Sequence, residues 1–250
     1  MQNKKVIVLD FGYIMHRAIF AYRHMQEVPV TYTFLRMCIG YLKKIGLSQE
    51  DIVIAAIDYG SWRKEIDNVY KAQRKDFRES KEDATWWKTV YDEFNQFMEV
   101  LDLALPWYFC KIYKVEADDW ASVACRYYTD REIILVSSDK DWEMLCNFPN
   151  VKIFSPMTKK YKLVKNPMKV LMEKIHGDVS DNLLTVPSSE MEFDRRKKIV
   201  DLINPLPDFI EQPIKDKFGS FLPKNLYVHK LPFRSVAEDI RKLYKFNKEK

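Results

Sequence analysis

IILVSSDKDW, residues 133–142, decides how this chain is read. Its four aliphatic residues, Ile133 to Val136, form the kind of run found in a strand buried on both faces. Carboxylates are costly beside such a run unless something compensates them, yet it leads to Asp139 and Asp141, with Trp142 directly behind. If the strand geometry persists that far, alternation puts both acids on one side and turns Lys140 away. Trp142 is expected to pack under the next helix. Two other segments repeat the pattern: VIVLD (6–10) reaches Asp10, and IVIAAID (52–58) reaches Asp58. Between them, Ala84, Trp87, Val90, Tyr91, Phe94, Phe97, Met98 and Leu101 fall on one face of an amphipathic helix. Strands alternating with helices predict an α/β fold, a central, mostly parallel sheet flanked by helices. In open sheets of this kind, functional groups gather beyond the carboxyl ends of the strands. A single acid after a strand is adequately explained as the cap of the next helix. Three at one edge ask for more.

Further acids follow. VEADDWASVACRYY (115–128) places Glu116, Asp118 and Asp119 before a helix-compatible run. The helix dipole favours acids in a first turn by about 0.3–1 kcal/mol each, which accounts comfortably for one of them. HGDVSDNLL (176–184) supplies Asp178 and Asp181, three apart, so that both can face one point from a helix start or a tight turn; a plain turn or cap role is the competing explanation. The candidates are therefore Asp10, Asp58, Glu116, Asp118, Asp119, Asp139, Asp141, Asp178 and Asp181. Gathered carboxylates raise one another's pKa and oppose folding. Hard divalent cations relieve this, and Mg²⁺ takes oxygen ligands, often a few carboxylates plus waters. Two such ions about 4 Å apart can activate a water and stabilise the leaving oxygen of a phosphodiester. Calcium fits less well, because no DxDxDG loop with its closing glutamate is present.

Composition removes other classes. Six glycines form neither GxGxxG nor GxxxxGK[ST], which argues against a dinucleotide fold or a P-loop. Four histidines show no HExxH, and four cysteines no CxxC, so reduced thiols and a cytoplasmic location are expected. The longest clean apolar run, IVIAAI, is far short of a bilayer span, and the N-terminus does not read as a signal peptide. The formal net charge is +5. Setting the nine acids apart leaves 41 basic residues against 27 acidic ones, a surplus of 14. An acidic pit in a basic body suits a polyanion gripped around a metal centre, although a solvated surface of mixed charge gives the same total. SWRKEIDNVYKAQRKDFRESK (61–81) interleaves Arg63, Lys64, Lys71, Arg74, Lys75, Arg78 and Lys81 with Trp62, Tyr70 and Phe77. Such a mixture suits phosphate contact with base stacking, or else an exposed helix of mixed charge.

In this order the motifs resemble those of the 5′ nucleases, also called flap endonucleases or 5′-to-3′ exonucleases, particularly the bacteriophage replication type. VIVLDFGYIMHRAIFA looks like the family's first strand, with Asp10 as metal ligand and Arg17 in the next helix. IDYGSWRKEIDNVYKAQR is similar to the family's D…FR…YKxxR block, through Asp58, Arg63, Tyr70, Lys71 and Arg74. VEADD, SSDKDW and GDVSDN match three further acidic motifs. The resemblance covers roughly residues 5–185. It implies a first metal held by Asp10, Asp58, Glu116 and Asp118, and a second served by Asp139, Asp141, Asp178 and Asp181, with Asp119 close by. Lys71 and Arg74 would contact the scissile phosphate from a helical arch, at about 61–104, with Tyr70 in the same gateway. The implied cofactors are two Mg²⁺, with Mn²⁺ able to substitute. The implied activity is hydrolysis near the 5′ end of branched or nicked duplex DNA, of 5′ flaps, and of RNA in RNA–DNA hybrids, an RNase H activity. The protein is expected to act as a monomer, in host cytoplasm if phage-encoded, with a single-strand-binding or replication protein as a further partner.

One departure stands out. Relatives continue after this last motif into a glycine-rich helix–hairpin–helix that grips duplex and often holds potassium. Here the chain reads LLTVPSSEMEFDRRKKIV, without glycine between Gly177 and Gly219. The hairpin is therefore expected to be altered, which weighs against a potassium ion. Arg195, Arg196, Lys197 and Lys198 are left as candidate duplex contacts, or as a solvated helix face. The division expected is a two-metal core at 1–185 and a helical extension at 186–250. Two other readings compete: a PIN-type ribonuclease, which normally uses about four carboxylates, and a structure-specific DNA-binding protein without catalysis.

Overall fold

The computed structural model describes residues 4–24, 28–72 and 84–245. The described strands are β1 (Lys5–Asp10), β2 (Ile52–Ala56), β3 (Trp107–Cys110), β4 (Glu132–Val136), β5 (Val151–Ser155) and β6 (Lys160–Lys162). They form one sheet in the order β3-β2-β1-β4-β5-β6. All neighbours are parallel except β5 and β6, which are antiparallel. The helices described are α1 (Phe11–His24), α2 (Val30–Ile45), α3 (Arg63–Ile66), α4 (Ala84–Ala104), α5 (Ala117–Tyr127), α6 (Pro167–His176), α7 (Glu190–Val200), α8 (Asp208–Gly219) and α9 (Arg234–Lys245). The α/β expectation holds, with β1, β2 and β4 where the apolar runs put them. The helical stripe starting at Ala84 is α4.

Alternation along the strands builds two cores. Val6, Val8, Ile54, Ile133 and Leu135 face one way, against Trp120, Leu171, Ile175, Ile199, Ile214 and Phe218 of α5 to α8. Ile7, Leu9, Val53, Ile134 and Val136 face the other, against Ile14, Phe34, Phe94, Leu101 and Ile240 of α1, α2, α4 and α9. Burying each such aliphatic side chain contributes about 1.5–3 kcal/mol. With both faces covered, the central strands have no polar side to show. That is why their sequences are continuous apolar runs instead of alternating ones.

From β1 the chain builds outward through β2 and β3, then returns to the opposite side of β1 with β4 and β5. The strand order therefore reverses between β1 and β4, and in open α/β sheets ligands bind beyond the carboxyl ends of the strands at such a point. Asp10 ends β1 there, and the segment from Ser137 follows β4 beside it.

One organisational expectation changes. The arch expected over 61–104 is narrowed, because Trp62, Arg63, Asp67 and Tyr70 are buried, as are Trp87, Val90, Phe94, Phe97 and Leu101 of α4. Those flanks belong to the body, and residues 73–83, Arg74 among them, lie outside the described residues. The stretch after 185 is integral to the packing: α7 and α8 complete the first core and α9 the second. A chain ending at residue 185 is accordingly predicted to lose cooperative thermal unfolding. Ile214→Ala in the full chain should cost about 2–5 kcal/mol in denaturant titration.

Candidate active site

Each acid is set in place by the local backbone. Asp10 follows the β1 run and precedes α1. Its Oδ1 accepts the Tyr13 amide at 3.0 Å and its Oδ2 the Ser137 hydroxyl at 2.6 Å. Ser137 Oγ also accepts the Asp139 amide at 2.9 Å, and Asp139 Oδ1 accepts the Asp141 amide at 2.9 Å. One serine thus joins the first strand's acid to those after β4. Asp58 Oδ1 accepts the Ala117 amide at 2.8 Å, which ties the end of β2 to the start of α5. Glu116 caps α5 in a reciprocal box with Asp119. Asp118 Oδ1 accepts the Trp142 indole N–H at 2.7 Å. Asp178 caps the 3₁₀ turn Val179–Asp181 and accepts both the amide and the hydroxyl of Ser180. Capping, the modest explanation for these acids, is therefore true of several of them. The acids also act on one another: Asp58 and Asp118 on Asp10, and Asp118 and Asp181 on Asp139.

Two electrostatic environments result. Burial pushes Asp10 up to about 8, with Asp58 and Asp118 adding to the effect against its hydrogen bonds. Desolvation likewise raises Asp58 to about 6, assisted by Asp118 and Glu116. Asp139 is raised to about 6, by burial first and then by Asp118. Glu116 goes the other way: burial opposes its charge, but Arg63 and Lys71 together hold it down at about 2. Asp10, Asp58 and Asp139 are thus acids whose ionisation is penalised, and Asp118 is among the charges that act on all three, so the four make an oxygen-only set. That is a donor set suited to a hard divalent cation. Asp141, Asp178 and Asp181 form a second group, with one carboxylate oxygen of each within 4.8 Å of the others. Lys174 of α6 lies among them, bonded to Asp141, with Asp181 at 2.8 Å and Asp178 at 3.3 Å.

Lys71 lies between Glu116 and the second group, its Nζ 2.9 Å from Glu116 and 3.8 Å from Asp181, above the Tyr70 ring. Its φ of 55° is left-handed, a conformation that costs a residue with a Cβ roughly 1–2 kcal/mol. Gly12 sits where the backbone must pass close to the acids. A Cβ there would lie 3.1 Å from Asp58 Oδ2 and 4.0 Å from Asp10 Oδ1.

Several expected roles are corrected by burial. Asp119, fully buried, spends Oδ1 on Arg63 and the Trp62 indole and Oδ2 on the Glu116 amide, so it supports the pit without lining it. Arg63 is 1% exposed and binds Glu116, Asp119 and the Ile199 carbonyl, an internal strut and not a nucleic-acid contact. Tyr70 is 3% exposed, too enclosed to stack on a base. Arg196 is buried against the Thr185 carbonyl and Glu192. Arg195 is partly covered and paired with Asp67, while Lys197 and Lys198 are exposed. Arg17 is half-buried between the Tyr13 and Tyr41 hydroxyls, on the side of the sheet that carries α1 and α2. Strand geometry does not carry Asp139 and Asp141 to one side, because β4 ends at Val136 and Asp141 opens a 3₁₀ turn. Lys140 does point away, to Glu173. Trp142 is buried as expected, and in addition its indole orients Asp118.

Ser137, Ser61 and Lys174 also serve the site, though none of them is among the candidates drawn from the sequence. Ser61 donates to Glu116 at 2.6 Å. The serines carried a usable signal, each being a small hydroxyl within three residues of a candidate acid.

An α/β sheet with acids from five chain segments at its switch point, and lysine between them, defines a protein of the 5′-nuclease class. The chain belongs to the 5′-3′ exonuclease family through its N-terminal resolvase-like domain, whose profile matches residues 5–175. It is similar to ribonuclease H of Enterobacteria phage T4, with 29% identity over 150 residues, 58% of this chain and 48% of that protein. The chain thus aligns over about half the length of this curated relative. Among solved structures it resembles the 5′-exonuclease of phage T5 with zinc bound, at a TM-score of 0.60 and 16% identity, over 98% of this chain and 99% of that one. It also resembles the bacteriophage T5 flap endonuclease in a pseudo-enzyme–product complex with DNA and metal ions, at 0.60 and 17%, over 98% and 90%. At such identities the likeness shows the fold.

A consequence for stability follows from the raised acids. A carboxyl whose pKa is higher folded than unfolded stabilises the fold below its unfolded value and loses that contribution as pH rises through its folded value. Asp58, Asp139 and Asp10 place this loss between about pH 4 and 8. The melting temperature in EDTA should therefore fall across that range, and a divalent ion should flatten the fall. Gly12→Ala should weaken divalent-ion binding, measured calorimetrically, because the Asp58 carboxylate must shift to admit the methyl group.

Proposed function

We propose that this chain is a Mg²⁺-dependent, structure-specific 5′ nuclease. It would hydrolyse phosphodiester bonds near the 5′ end of branched or nicked duplex DNA, and of RNA primers paired to DNA, in replication or repair. The observation that carries the reading is the meeting of Asp10, Asp58, Asp118 and Asp139 in one crowded oxygen group, with Lys71 at its edge. Family membership supports phosphodiester hydrolysis. The name of the T4 relative supports RNA–DNA hybrids as substrates, and the T5 complex supports branched DNA.

Asp10, Asp58, Asp118 and Asp139 would hold a divalent ion, and Mn²⁺ would serve in place of Mg²⁺. Bound there, the ion supplies a water of lowered pKa and positive charge for the leaving oxygen. The chain's own groups do the rest. Ser137 and Trp142 fix the carboxylates before any ion arrives, so little reorganisation remains at the moment of reaction. Glu116 is kept ionised by Arg63 and Lys71, and in turn anchors the Lys71 ammonium at the pit's mouth, where it can meet a phosphate. Lys197 and Lys198, exposed on α7, are available to the duplex backbone, a contact that weakens with salt.

The test is cleavage of 5′-labelled flap, nicked-duplex and RNA–DNA hybrid substrates with Mg²⁺ and with EDTA. Mg²⁺-dependent release from 5′ ends is expected, with near-complete loss in Asp139→Asn and its fold intact by circular dichroism. Preferential cutting of free single-stranded RNA would favour the PIN-type reading, and binding without cutting a non-catalytic one. Lys71→Ala should slow cleavage by about 10²–10³-fold, as losing one preorganised electrostatic group does. Trp142→Phe, which strands Asp118 without its donor, should weaken metal affinity by about 10–100-fold.

A further inference from the structure

The second acid group already contains a cation. Along α6 the buried residues are Val170, Leu171, Lys174 and Ile175, the stripe that faces the first core. A lysine therefore occupies a core-facing position and is only 6% exposed. Burying an ammonium is costly unless it is paired and hydrogen-bonded. Here Asp178 lies one helical turn further along, at i+4, and Asp181 follows in the 3₁₀ turn beyond. The Lys174 ammonium reaches Asp181 at 2.8 Å, Asp178 at 3.3 Å and the carboxylate of Asp141. Those are the three residues whose oxygens lie within 4.8 Å of one another, and Asp181 is itself 2% exposed. The ammonium thus takes up the same three carboxylates that a divalent ion would use. In the first group, by contrast, Lys71 pairs with Glu116 at the edge and acts on Asp58 and Asp139 only through its charge.

We propose that Lys174 is the resident cation of the Asp141–Asp178–Asp181 group, and that a divalent ion enters this group only by displacing its ammonium. The inference rests on the metal-dependent reading above and deepens it: the two acid groups are not equivalent. The first takes an ion directly. The second exchanges one internal positive charge for an external ion, so its occupancy is conditional, and one of its three negative charges stays offset when the ion is absent.

Mn²⁺ titration of the full chain, followed by calorimetry and by the loss of the free-ion electron paramagnetic resonance signal, tests this. Wild type should show one stronger and one weaker event. Lys174→Met should strengthen the weaker event by about tenfold or more, since a competing charge has gone, and leave the stronger one nearly unchanged. A variant that folds only when Mn²⁺ is supplied supports the proposal equally. An unchanged weaker event in a folded Lys174→Met protein overturns it. A second measurement needs no variant: acetylation of Lys174, read by peptide mass spectrometry, should be slow in EDTA and rise when Mn²⁺ saturates both events. Equal protection at saturation overturns the proposal. If wild type binds no divalent ion at all, the nuclease reading itself fails, an outcome distinct from normal binding that ignores Lys174.

Discussion

Mutual repulsion among carboxylates at the carboxyl edge of β1, β2 and β4 is the constraint around which the rest is arranged. Such groups oppose folding when brought together, and each is held by a device that costs the core little. Helix starts lend amides, as Tyr13 does to Asp10 and Ala117 to Asp58. Serine hydroxyls bridge or donate at Asp10 and Glu116. Inside the body, Arg63 lies between Glu116 and Asp119 and carries a further hydrogen bond to the Ile199 carbonyl of α7. The pit and the C-terminal helices are therefore mechanically connected through one buried guanidinium. Removing such a partner from a buried group is far more damaging than never having had the pair.

Much of this was legible in the sequence, for a physical reason. Strands covered on both faces must be apolar throughout, so β1, β2 and β4 announce themselves, and the acids that follow mark their ends. The remaining strands do not obey that rule. β3 is four residues of mixed burial, β5 carries exposed Lys152 and β6 is exposed throughout. Short strands, or strands with a wet side, lack the continuous run that betrayed the central three. Trp142 was placed correctly as buried, but its bond to Asp118 depends on a 3₁₀ turn that no periodicity foretells.

The basic residues were the least legible. Arg63, Tyr70 and Arg196 look in sequence like surface groups offered to a polyanion, yet all three are buried. Interleaved cations and aromatics read alike whether the guanidinium faces solvent phosphate or an internal carboxylate. What distinguishes the cases is whether an acid waits inside, and that is a fact about the far end of the chain. Lys174 follows the same logic. It fits the helical stripe as a hydrophobic residue would, and only the three aspartates beneath it explain why a lysine stands there.

The Ser137–Asp10 hydrogen bond has a bearing on how the molecule comes into being. Its partners lie 127 positions apart, joined only when β4 inserts beside β1. Contacts of such sequence separation form late, after the entropy of closing a long loop has been met. A nascent or partly folded chain thus holds its carboxylates scattered and well hydrated, with no concentrated anionic pit to capture ions prematurely. The completed sheet creates the charge density in a single step. An ion that binds the native state alone then adds to its stability by mass action, so assembly and metal capture become one cooperative event.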